Sequence, residues 1–60
     1  MKAEIGKRIR LIQMNDEPDP IEPGTEGTIT HIGGGVINVD WDNGRTLGLV
    51  DGIDIYEILE

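Results

Sequence analysis

The sequence predicts a small all-β domain, and three observations carry that expectation. Apolar residues almost nowhere recur at the three-to-four-residue spacing of a helix. Short aliphatic and β-branched runs recur instead between clusters of Gly, Pro, Asn and Asp. Between two of those runs stands Asn43-Gly44, the strongest short-range hairpin signal. Sixty residues make one domain. A chain of that size buries only ~60% of the surface its unfolded form exposes, so its margin of stability is small.

The first strand, 7–13 (KRIRLIQ), sets Ile9 and Leu11 on one face and Arg8 and Arg10 on the other, the alternation of a half-buried strand whose arginines point to solvent. From Met14 to Glu26 the chain carries all three prolines and five carboxylates. That composition suits a long, irregular acidic loop better than a strand inside a sheet. Within the loop, 22–25 (EPGT) fits a type II turn, because Pro23 presets φ at the second position and Gly24 accepts the positive φ of the third.

The second strand, 27–32 (GTITHI), places Ile29 inward. Ile32 breaks the two-residue period, so a bulge or bend is expected near His31, of the kind by which a small barrel closes. Residues 33–35 (GGG) read as a tight connection with unusual dihedrals. The third strand, 36–41 (VINVDW), puts Ile37, Val39 and Trp41 on one face and Asn38 and Asp40 on the other. Asn43 and Gly44 then form the centre of a type I′ turn. The fourth strand, 46–50 (TLGLV), returns with Leu47 and Leu49 inward. A single tight helical turn at 51–54 (DGID) leads to the last strand, 55–59, whose pattern leaves open which of Ile55, Tyr56, Ile58 and Leu59 face inward.

Five short strands, a long acidic loop after the first, hairpins between the middle three and a one-turn corner before the last are the pattern of a five-stranded SH3-like barrel. Closing the sheet would remove most exposed edges. An open, OB-like sheet of five strands is the alternative, although that fold normally uses more residues and often a helix.

The stretches GKRIRLIQM, PGTEGTITHI, INVDWDNGRTLGL and GIDIYEI resemble, in order and spacing and over nearly the whole chain, a family of short microbial proteins with an SH3-like fold, defined only as a domain of unknown function. EGTITHI is similar to the glycine-then-hydrophobic core of the KOW motif in ribosomal and transcription-elongation proteins. INVDWDNG is similar to the V-x-W-D-N-G stretch of Mind bomb type SH3-like domains. The first resemblance implies a fold and no activity; the other two imply a binding module.

The formal net charge of −7 opposes approach to phosphate backbones and anionic membranes except through a segregated basic patch. Lys2, Lys7, Arg8 and Arg10 are the candidate for such a patch, whereas from Leu11 onward only Arg45 faces eleven carboxylates. The simpler expectation is that the basic start lies against the acidic remainder and is neutralised locally. The absence of cysteine removes disulfides, thiolate metal sites and cysteine nucleophiles together. The N-terminal MKAEIGKRIRLIQ lacks the apolar stretch of a signal peptide, and no run approaches the ~20 apolar residues that span a bilayer, so a cytoplasmic protein is expected.

Asp40 and Asp42 have the spacing that opens an EF-hand and are expected on one strand face. The pattern fails further on, where Arg45 takes the glycine position and Asp51 the bidentate glutamate position. Asp16, Glu17, Asp19 and Glu22 read as a solvated acidic loop, so no metal site and no cofactor is expected. His31 is the only histidine and the chain has no serine, so no acyl-transfer set can be assembled, and the GGG run lacks the following helix and lysine of a phosphate loop. No catalytic residue is assigned and the chain is not expected to be an enzyme.

Trp41 is expected at the end of the core with its N–H at the rim, or alternatively as a recognition pair with Tyr56. The P-x-x-P run at 20–23 reads as loop stiffening rather than a ligand for an aromatic groove. The resulting expectation is a small noncatalytic binding or adaptor module for a protein partner. Its candidate binding residues are Trp41, Asn43 and Arg45 at the hairpin tip, and then Tyr56. A nucleic-acid-binding module using Lys2, Lys7, Arg8 and Arg10, or a structural or assembly role, are the alternatives.

Overall fold

A computed structural model describes residues 3–15 and 18–59. Its strands are β1 (Arg8–Gln13), β2 (Glu26–Gly33), β3 (Val36–Trp41), β4 (Thr46–Val50) and β5 (Ile55–Ile58), with no helix among the described residues. β3 and β4 have the bounds read from the sequence, and the others differ by a residue at one or both ends. All four strand pairings are antiparallel, and the order β4-β3-β2-β1-β5 brings the last strand beside the first.

The expected closure into a barrel is not found: β4 and β5 are the two ends of the order and do not pair with one another. Only residues 51–54 join these edge strands. A chain spans at most about 3.3–3.6 Å per residue, so the sheet must curl to bring the end of β4 near the start of β5. From that corner the strands diverge. The curl has local causes in two register shifts, one between Ile29 and His31 opposite β3, where the broken period led us to expect it, and one between Leu11 and Gln13 opposite β5.

The inner face of the curled sheet holds the core. Ile9 and Leu11 of β1, Ile29 of β2, Ile37, Val39 and Trp41 of β3 and Leu49 of β4 are all buried in one cluster. Ile21, from the connection between β1 and β2, is buried with them at 1% exposure. A sheet without a helix to cover it needs such a plug, and Ile21 supplies it from inside the P-x-x-P run. Tyr56 and Ile58 pack inward from β5 while Ile55 stays exposed, which settles the face of the last strand.

The turns depart from expectation in an instructive way. Asn43 does not have the positive φ of a type I′ turn; only Gly44 does, at 91°. The Gly44 N–H donates to the Trp41 carbonyl and the Trp41 N–H to the Arg45 carbonyl, so the loop has three residues, a type I turn followed by a left-handed glycine. The two-residue hairpin with both central φ values positive is instead at Gly34 and Gly35, at 60° and 79°. Glycine reaches that conformation at no steric cost, while asparagine must be driven into it. Gly24 has the expected type II geometry, with the Thr25 N–H donating to the Glu22 carbonyl. The corner at 51–54 is a tight turn around a positive-φ Gly52 rather than a turn of helix.

Among the described residues one charged side chain enters the interior. Asp54 is 7% exposed, and its two carboxylate oxygens accept from the Asn15 and Val50 backbone N–H groups at 2.8 and 2.9 Å. It thereby ties the end of β1 to the end of β4, and each oxygen has a donor.

Candidate functional site

Three surfaces follow from this arrangement. At the β3–β4 tip, Trp41 ends the inward row of β3 and is 2% exposed, with its Nε1–H donating to the Leu47 carbonyl at 2.9 Å. Asn43 turns its side-chain oxygen back to the Arg45 N–H at 3.0 Å, the local bond that favours asparagine in turns. The Arg45 guanidinium reaches over the preceding loop and donates to the Asp19 and Pro20 carbonyls at 2.9 and 3.3 Å. All three side chains thus hold the tip and the loop together. Tyr56 lies with residues 36 and 37, at the other end of β3, so the structure separates it from Trp41.

The second surface is the outward face of β1. Arg8 donates to both carboxylate oxygens of Asp42 and to the Thr28 hydroxyl, and lies 3.6 Å from Glu26. Arg10 is bridged by Glu57 on one side and Glu26 on the other. The hydrogen bond from Arg8 is the main cause that holds the Asp42 carboxyl below its ordinary range, against a smaller opposing effect of burial. The arginines expected to point to solvent are therefore clasped by acids from three other segments. Asp42 lies one residue beyond the end of β3 and is paired with Arg8. Lys7 lies next to this network, and Lys2 falls outside the described residues, as do Asp16 and Glu17 of the acidic loop. Among the described residues no trio of His, Asp or Glu is placed to hold a metal ion.

The third surface, which sequence reasoning missed except for Tyr56, is a groove of about 370 Å³ at the other end of the molecule. It is lined by the apolar residues Ala3, Ile32, Val36 and Ile37, by Tyr56 and Asp51, and by the glycines at 33–35. The Asp51 N–H donates to the Gly35 carbonyl at 3.0 Å, which fixes the corner after β4 against the β2–β3 hairpin. Burial, and then the nearby negative charge of Asp51, push the Tyr56 hydroxyl above its ordinary value, so it stays a neutral donor. The only signal in the sequence was the GGG run, whose missing side chains make the opening.

These features define a small all-β protein built on one curled, five-stranded antiparallel sheet. A family model described as "Domain of unknown function (DUF4314)" matches residues 2–59, and the chain belongs to that family. No curated protein and no solved structure matches the chain significantly.

Proposed function

We propose that this protein is a noncatalytic binding or adaptor module of the cytoplasm that engages a protein partner. The observation that carries the reading is the open groove at the glycine hairpin, which Ile32, 39% exposed, lines together with Val36, Ile37 and Tyr56. A concave opening with apolar lining and a few polar groups is where binding sites are most often built. The engagement of Arg8 and Arg10 by Asp42, Glu26 and Glu57 favours a protein over a nucleic acid, because those cations are already neutralised. The strand order, with β5 against β1 and the long acidic loop between β1 and β2, supports reading the fold as SH3-like.

The test is a set of amide NMR spectra of the isotope-labelled chain against fractions of a cell extract. A protein fraction should perturb one contiguous set of amides, and protease treatment of that fraction should abolish the effect. Perturbation only by fractions that nuclease destroys, or by none, rejects the reading.

A further inference from the structure

We infer that the groove between the Gly34-Gly35 hairpin, Asp51 and Tyr56 is the docking site for an extended protein segment that inserts one lysine or arginine side chain. This inference rests on the protein-binding reading above and names its partner chemistry. Three features of the groove select that occupant. Ala3, Ile32, Val36, Ile37 and Tyr56 give the groove an apolar lining, which suits an aliphatic stem. Asp51 lines the groove, is exposed and forms no ion pair among the described residues, so it can receive a cationic head, and the aromatic Tyr56 lines the same groove. The described residues lining the groove include no cation, and the whole chain carries −7, so an acidic segment is repelled both locally and at long range.

The glycines make this approach open to a backbone as well as a side chain. At Gly34 and Gly35 nothing lies within 4 Å of where a Cβ would stand. A partner main chain can therefore pass over residues 34 and 35 without meeting a side chain, although His31 stands 3.5 Å from where a Cβ of Gly33 would be, while its basic side chain drops toward Asp51.

The experiment titrates the labelled full chain with the blocked peptide Gly-Ser-Val-Lys-Val-Ser-Gly and with its counterpart carrying glutamate for lysine. Saturable shifts at Gly34, Gly35, Val36, Ile37 and Tyr56 with the lysine peptide alone are expected. Asp51→Asn should weaken binding about two- to fivefold, the size of one exposed ion pair, and Tyr56→Phe keeps the ring and should retain binding. The assignment is overturned by the absence of saturable shifts, by equal shifts with the glutamate peptide, or by unchanged binding in Asp51→Asn. Shifts in the groove that depend on protein concentration alone would make a second copy of this chain the occupant and overturn it too. If an extract protein perturbs a different face while the lysine peptide fails, the groove assignment falls and the protein-binding reading stands.

Discussion

At Gly27 a methyl group would lie 2.6 Å from Val39 Cγ1, 2.9 Å from the Asp40 carbonyl oxygen and 3.1 Å from the Trp41 Cα. Two of those three contacts are backbone, which cannot swing aside, so the close passage of β2 over β3 depends on the missing side chain. Gly27→Ala should lower stability by about 1–3 kcal/mol, the cost of overpacking a filled core, measured by urea unfolding. Gly48 differs: a Cβ there would meet the Val36 and Asn38 side chains, which can move, so its substitution should cost less in the same measurement. Asp54 makes a second sharp case. Asn at 54 keeps one acceptor but turns an amide N–H₂ toward one of the two backbone donors it now serves. Asp54→Asn should cost about 1–3 kcal/mol, while Asp51→Asn on the exposed side of the same corner should stay within about 0.5 kcal/mol. Thermal unfolding of the pair checks both. Neither the close approach at Gly27 nor the burial of Asp54 was legible in the sequence, because both are properties of neighbours distant along the chain.

Among the elements, the connection between β1 and β2 contributes more than its composition suggests. Pro20 and Pro23 bracket Ile21, which the loop delivers into the core, and Arg45 clamps the loop at Asp19 and Pro20. Ile21→Ala should therefore cost about 2–5 kcal/mol, the range of a buried core truncation, when compared by urea unfolding with Ile55→Ala on the exposed face of β5. A loop serving only as a tether would show no difference between the two. The Arg8–Asp42 pair fastens β1 to the β3–β4 tip, and its dependence on pH has a definite sign. Asp42 is held below its ordinary range in the folded state, so its contribution is present above the carboxylate range and is lost as pH falls through the folded value. The stability difference between the wild-type chain and Asp42→Asn should shrink as pH is lowered from neutral to about 3; a constant difference across that range contradicts the assigned cause. The strand bounds and the bulge near His31 were legible locally, from two-residue alternation and its break. The turn at Asn43-Gly44 was legible in place but not in type, since three loop residues let asparagine avoid positive φ.

For the whole molecule, charge sets the balance. The folded chain holds a formal −7 within extents of 26 × 23 × 17 Å, while its ion pairs are partly exposed and individually weak. Self-repulsion of the compact state should outweigh those pairs, so raising sodium chloride from about 20 to about 300 mM, which shortens the screening length several-fold, should raise the thermal midpoint. A fall would mean that the Arg8 and Arg10 networks dominate. The sequence by itself determined the all-β class, the strands and the inward rows of β3, because alternation and turn residues are local signals. It also told of a basic start answered by an acidic remainder, though not which acids would answer. Only the tertiary structure decided that the sheet stays open, that Ile21 plugs it, that Trp41 is enclosed and Tyr56 set apart from it, and that a groove opens beside the glycine hairpin. Those outcomes depend on which segments the curl of the sheet brings together, and no local pattern encodes that.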